Sequence, residues 1–176
     1  MPEQAKKHTL DILAEKVFGS ILVVFSLLIT LIITGAALAR YVFKFNFVGY
    51  DEFVVILAFW FYFTGAAYGA YNNSHVSADL VDAYAPEGTG KRVLHVARWF
   101  LTSAACGLFV YYGFNYIKFS FMGPLGNFQF QPKSMTWRIP HWVAHAGIFF
   151  GLILMEVYFL RNLAQSVKAL YRGDKA

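Results

Sequence analysis

Residues 17–39 read VFGSILVVFSLLITLIITGAALA, a run of 23 residues without an acidic or basic side chain. A helix of about 20 mostly apolar residues crosses the ~30 Å hydrocarbon core of a bilayer. Leucine, isoleucine, valine and phenylalanine make up 14 residues of the run, and each favours insertion by about 0.3–0.6 kcal/mol. Because the run is longer than the apolar core of a signal peptide and no small-residue cleavage site follows it, we interpret it as a membrane span.

Three further stretches have the same character, and the four predicted spans are residues 17–39, 53–71, 99–117 and 139–160. The 176-residue chain is 58% hydrophobic and 14% charged, whereas soluble domains are about 45–50% apolar and about 25% charged. So few charged side chains cannot cover the surface of a soluble core, which argues against a soluble enzyme. The predicted fold is therefore an all-α integral membrane protein, with four transmembrane helices in a single domain over residues 1–176.

The basic residues predict an orientation for the chain. Four spans place both termini and the middle loop on one side, and that side carries 10 of the 15 lysine and arginine residues. The positive-inside rule therefore predicts that both termini are cytoplasmic. Two amphipathic segments, residues 9–16 and 74–84, are too short and too charged to span. We expect them to form short helices in the cytoplasmic interface, the alternative being a solvated helix or loop.

Ionisable side chains within membrane spans are the usual mark of an ion or substrate path. The middles of the first three predicted spans hold none, Asp51 and Glu52 lie at the outer entrance of the second, and Glu156 lies near the inner end of the fourth. Position explains all three acids as interfacial groups. The chain has one cysteine, Cys106, which we expect to be a small core residue, and it has no phosphate-binding glycine loop or serine nucleophile motif. We expect no catalytic residue, metal site or cofactor, and no enzyme activity.

Histidine leaves one alternative open, because a four-helix membrane bundle can hold haem between histidines of facing helices. His75 and His95 approach this arrangement, but both lie in segments predicted to be interfacial. His141 and His145 are one turn apart on a single helix, where packing or hydrogen bonding is the favoured interpretation. A membrane b-type cytochrome is therefore one alternative function. A stand-alone small multidrug exporter is another. Such exporters resemble dual-topology dimers with a glutamate in the first span, whereas the first span here has no acid and the basic residues favour one orientation.

Small residues recur at helical spacing within the spans. Gly65 and Gly69 form a GxxxG pair in the second span, and Gly147 and Gly151 form one in the fourth. Lipid tails are as apolar as leucine, so helices in a bilayer associate through the close contact that small residues permit. We expect tight packing at these pairs, either within the chain or against a partner.

Several local patterns follow one another along the chain. They are Arg40-Tyr41-Val42-Phe43 at the end of the first span, Asp51-Glu52 at the start of the second, Gly65-Ala66-Ala67-Tyr68 near its end, His75-Val76-Ser77-Ala78-Asp79-Leu80, and the run from Ser134 to Ile139-Pro140 and Trp142. As an ordered set on a four-span chain, they resemble the small membrane subunit of TRAP transporters, the tripartite ATP-independent periplasmic carriers of organic acids. This is the DctQ-type subunit, and the resemblance covers roughly residues 9–170.

The resemblance implies a helper protein rather than a carrier. Such subunits form a heterodimer with a large membrane subunit that holds the sodium and substrate sites, and a periplasmic substrate-binding protein delivers the organic acid, of C4-dicarboxylate or sialic acid type. This implies a scaffold in the bacterial inner membrane, in contact with membrane lipids and without a nucleic acid partner. Asp51 and Glu52 would lie on the outer face, where they could pair with basic residues of a partner. The candidate interface or family-motif residues are Arg40, Asp51, Glu52, Gly65, Gly69, His75, Asp79, Ser134, Pro140, Trp142, Gly147 and Gly151.

Overall fold

Four long helices make up most of the chain in the computed structural model, which describes residues 9–72, 89–124, 126 and 131–173. The helices are α1 (Thr9–Tyr41), α2 (Tyr50–Tyr71), α3 (Thr89–Met122) and α4 (Trp142–Gly173). Each contains a stretch long and apolar enough to cross a membrane. Over the described residues, this confirms the predicted all-α fold with four membrane-spanning helices.

Most helix ends lie beyond the spans that hydropathy predicts. Residues 9–16 are helical, but they continue without a break into the first span as part of α1 rather than forming a separate interfacial helix. Helices α3 and α4 have 34 and 32 residues. At 1.5 Å per residue each is about 50 Å long, well over the ~30 Å of hydrocarbon. The predicted segment 74–84, which includes His75 and Asp79, lies outside the described residues.

The described helices form an open row rather than a closed bundle. Helix α1 contacts only α2, α2 also contacts α4, and α4 contacts α3, so the order across the row is α1, α2, α4, α3. Helices α2 and α4 run in the same direction, and α1 and α3 run opposite to them. We call the end where α1 joins α2 and α3 joins α4 the connection end.

Helix α1 uses one narrow stripe to contact α2. The side chains that it partly buries are Phe18, Leu22, Phe25, Ile29, Ile32, Ala36 and Ala39. Their spacing alternates between four and three residues, which is the pattern of a single helix–helix seam. The large apolar side chains between them are exposed, among them Val23, Val24, Leu27, Leu31 and Ile33. Most of the circumference of α1 is therefore not covered by the described chain.

The deepest packing lies around α4, in the middle of the row. Cys106 of α3 and Phe159 of α4 are both 5% exposed, and Ala70 of α2 is 1% exposed in the same cluster. The ring centroids of Trp99 and Phe159 lie 6.2 Å apart and extend this contact between α3 and α4. Cys106 is a buried core residue, as predicted.

Candidate functional site

A short hairpin precedes α4 at the connection end. The backbone N–H of Ser134 donates to the carbonyl of Ile139 at 2.9 Å, and that of His141 donates to the carbonyl of Pro132 at 3.0 Å. An isolated antiparallel bridge pairs Lys133 with Pro140. These contacts explain why α4 begins at Trp142 rather than at Ile139, the predicted start of the fourth span.

Glu52, in the first turn of α2, holds this hairpin through both of its carboxylate oxygens. The Ser134 hydroxyl donates to Oε2 at 2.7 Å, the Trp137 N–H donates to Oε2 at 3.0 Å, and the Thr136 N–H donates to Oε1 at 2.8 Å. The Ser134 oxygen in turn accepts from the Ile139 N–H at 3.0 Å. Hydrogen bonds to an ionised acceptor are among the stronger ones in proteins. We call this set of bonds the Glu52 clasp, and it joins the start of α2 to the segment that leads into α4.

A glycine and an aromatic pair bring the hairpin close enough for the clasp to form. Gly49 has a φ of +86°, and a Cβ placed there would lie 2.6 Å from Trp137 Nε1 and 2.7 Å from Thr136 Cγ2. Only glycine tolerates both this conformation and this approach. The Trp137 ring meets Phe53 edge to face, with ring centroids 5.6 Å apart. The hairpin is therefore seated on the first two turns of α2.

The clasp gives one of the two outer acids, Glu52, a role within its own chain. The resemblance implied that Asp51 and Glu52 could pair with basic residues of a partner, whereas both oxygens of Glu52 accept hydrogen bonds from its own chain. Asp51, beside it, is exposed. The sequence placed Ser134 among the motif residues but gave no sign that its hydroxyl reaches a carboxylate 82 positions earlier.

The GxxxG pair of α4 packs inside the chain, against α2. A Cβ at Gly147 would lie 2.9–3.1 Å from three ring atoms of Trp60. A Cβ at Gly151 would lie 2.6 Å from the Cβ of Phe63 and 2.7 Å from its carbonyl oxygen. The indole N–H of Trp60 also donates to the carbonyl of Val143 at 3.0 Å. Gly147 thus leaves room for the Trp60 ring, and Gly151 lets α4 approach the backbone of α2 at Phe63.

Gly65, the first glycine of the GxxxG pair of α2, makes a looser contact. A Cβ at Gly65 would lie 3.5 Å from Leu22 of α1, which is ordinary van der Waals contact. Gly69 is half-buried near the opposite end of the helix from the hairpin. Between them, the 0% exposed Ala67 gives α2 another small packing position.

The remaining motif residues are spread over the connection end. Arg40 is exposed in the last turn of α1. Trp142 is the first residue of α4, and its ring meets Phe121 of α3 edge to face, with centroids 5.8 Å apart. Pro140 belongs to the hairpin bridge. The structure therefore brings Glu52, Ser134 and Pro140 together and leaves Arg40 outside this group.

Glu156 is not the interfacial group that its position suggested. The hydroxyl of Ser103, on α3, donates to Glu156 Oε1 at 2.7 Å, and Ser103 is buried. The second oxygen, Oε2, is buried as well, with no hydrogen-bond partner among the described residues. The Cys106 thiol lies beside this pair and contacts the carbonyl of Leu152 at 3.8 Å. The side chain of Glu156 therefore sits between α3 and α4 instead of extending to the interface.

His141, just before α4, and His145, in its first turn, take part in local packing. His145 Nδ1 lies 2.6 Å from the hydroxyl of Ser120, which is 1% exposed. The His145 ring centroid lies 4.3 Å from that of Tyr116 and 6.2 Å from that of His141. No group of three or more histidine, cysteine, aspartate or glutamate side chains that could hold a metal ion occurs in the described part of the chain.

Comparison with known families gives an independent view of the chain. Residues 29–169 match the family model described as tripartite ATP-independent periplasmic transporters, DctQ component. The matched stretch runs from the middle of α1 almost to the end of α4 and includes the Glu52 clasp. A comparison with curated proteins returned no match. Because the family model covers most of the chain and the four helices suit a multi-pass membrane protein, the chain belongs to the DctQ family, the small membrane component of tripartite ATP-independent periplasmic (TRAP) transporters.

Proposed function

We propose that this chain is the scaffold subunit of a TRAP transporter in a bacterial inner membrane. In this role it forms a heterodimer with the large membrane subunit and anchors it. The large subunit performs sodium-coupled uptake of an organic acid, of C4-dicarboxylate or sialic acid type, that a periplasmic binding protein delivers. The chain itself neither carries the substrate nor catalyses a reaction.

The open row of helices is the observation that carries this proposal. Helix α1 lies at one edge and contacts the described chain only through its stripe on α2. Leu31, near the middle of α1, is 67% exposed. The exposed apolar face of α1 can contact lipid. Because α1 packs on its own chain through one seam only, the same face can also pack against a second membrane protein. The apolar stretch of α1 has no buried residue, whereas that of α3, at the other edge of the row, has some, and for this reason we place the large subunit against the uncovered face of α1.

The surroundings of two acidic side chains, Glu52 and Glu156, support a helper role. Glu156 is the single acidic residue of α4, and its side chain lies between two helices and accepts a hydrogen bond from Ser103. Glu52 is held by the hairpin. Carriers usually expose intramembrane ionisable groups to a water-filled path. Both acids are instead engaged by hydrogen-bond donors of their own chain, which supports the assignment of transport to the partner.

Co-purification with the large subunit tests this proposal, and an α1 variant tests the interface. We expect the tagged chain to retain the large subunit through affinity purification and size exclusion in detergent. Leu31→Trp should reduce the amount retained, because the larger ring interferes with close packing on α1. Leu108→Trp on α3 is the matched control, since Leu108 is 61% exposed at the other edge of the row, and it should retain the large subunit fully.

Two outcomes would count against the proposal in different ways. If the two membrane proteins elute separately when co-expressed as wild type, the scaffold role is wrong. If they elute together but Leu108→Trp separates them and Leu31→Trp does not, the partner lies against α3 and our choice of the α1 face is wrong.

A further inference from the structure

A cavity of about 320 Å³ opens at the connection end, between the first turns of α2 and α4 and the hairpin. Its lining divides into two parts. Asp51, Lys133 and His141 are charged or polar and exposed, while apolar side chains that include Val55 and Ile56 form its wall. The cavity therefore has a polar rim and an apolar interior.

The helix directions place the rim and the wall at different depths. Asp51 lies in the first turn of α2, and Val55 and Ile56 lie in the next turn. On α4, Ala144 lies almost one turn past His141 and also lines the cavity. The candidate membrane-spanning stretches of both helices start at this end. The rim therefore lies at the border of the membrane, and the wall lies within it.

An amphiphile fits this division, and the rim carries charges of both signs. A carboxylate such as Asp51 accepts hydrogen bonds from a primary ammonium, and the Lys133 ammonium donates to a phosphate oxygen. A choline group offers no N–H to Asp51, and an anionic glycerol head group brings no cation to it. We propose that this cavity binds one phospholipid with a phosphate and a primary ammonium in its head group, as in phosphatidylethanolamine, with the start of an acyl chain on the apolar wall.

The Glu52 clasp preorganises this site. Lys133 lies on the hairpin and Asp51 lies on α2, and the bonds from Glu52 to Ser134, Thr136 and Trp137 hold these two elements together. Both oxygens of Glu52 are used in this way, so the clasp positions the rim and Asp51 supplies its negative charge. A site whose two supporting segments are already held together loses less entropy when it binds its ligand.

Native mass spectrometry of the detergent-purified chain tests this site without the large subunit. The chain is titrated with phosphatidylethanolamine, phosphatidylcholine and phosphatidylglycerol that carry identical acyl chains. We expect the wild type to retain phosphatidylethanolamine best. Asp51→Asn should weaken that retention roughly three- to fivefold, because an exposed ion pair contributes up to about 1 kcal/mol, and it should also remove the preference over phosphatidylglycerol.

Two further variants separate this site from general lipid adhesion. Val55→Trp fills the apolar wall and leaves the rim unchanged, so it should lower retention of all three lipids. Lys118→Gln removes an exposed lysine on α3 that does not line the cavity, and it should change nothing. Equal retention of the three lipids by the wild type, or unchanged retention in both Asp51→Asn and Val55→Trp, would overturn the proposal.

Discussion

Replacing Gly151 by valine separates α2 from α4 and disrupts the middle of the helix row. The new Cβ would meet the Cβ of Phe63 at 2.6 Å and its carbonyl oxygen at 2.7 Å. These atoms belong to or adjoin the backbone of α2, so no change of side-chain rotamer relieves the overlap and the helices must move apart. Overpacking typically costs about 1–3 kcal/mol, and we expect at least that loss in the free energy of unfolding, measured by thermal or denaturant unfolding in detergent.

Gly35→Val is the matched control for this substitution. Gly35 is also a helical glycine, but a Cβ at that position meets nothing within 4 Å. Both variants exchange glycine for a β-branched residue in a helix, so the difference between them isolates the α2–α4 contact. If Gly151→Val and Gly35→Val unfolded with the same midpoint as each other, the close approach of α2 and α4 would not be the determinant of stability that we describe.

Replacing Glu52 by alanine releases the hairpin from α2. The N–H groups of Thr136 and Trp137 and the hydroxyl of Ser134 all lose their acceptor. Hydrogen–deuterium exchange over residues 133–139 should then become faster, because the amide N–H groups that were bonded to Glu52 are free to exchange with water. We expect Glu52→Gln to show a smaller effect in the same direction, since its amide keeps one acceptor oxygen and turns an NH₂ group towards the remaining donors.

Asp51→Ala provides the control for the clasp, because Asp51 is also an acid in the first turn of α2 and is exposed. Exchange in the hairpin should stay at the wild-type rate in this variant. Unchanged exchange at Thr136 and Trp137 in Glu52→Ala would show that other contacts, such as that of Trp137 with Phe53, hold the hairpin without the carboxylate.

The membrane spans could be predicted because the length of an apolar helix must match the thickness of the hydrocarbon core that it crosses. The ends of the helices could not be predicted in this way. Helix α3 begins at Thr89 and includes Lys91 and Arg92, since charged side chains are compatible with a helix that leaves the bilayer. Hydropathy therefore locates the membrane within each helix and does not report where the helix itself begins or ends.

The arrangement of the helices depends on contacts that no local pattern encodes. The glycine pairs predicted close packing, but only the structure shows that Gly147 and Gly151 contact α2 of the same chain. The clasp joins Glu52 to residues more than 80 positions away through hydrogen bonds, and glutamate in a first turn commonly has other roles. The bond between Ser103 and Glu156 could not be predicted for the same reason, since it depends on the register of α3 against α4.

Reconstitution into vesicles tests the central claim, that this chain assists transport and does not carry it out. The purified chain alone, the large subunit alone and the two together are placed in separate vesicles under an inward sodium gradient. Uptake is measured for a labelled organic acid bound to its binding protein. We predict uptake only where both membrane subunits and the binding protein are present. Sustained, sodium-dependent uptake by vesicles that contain this chain alone would contradict the account.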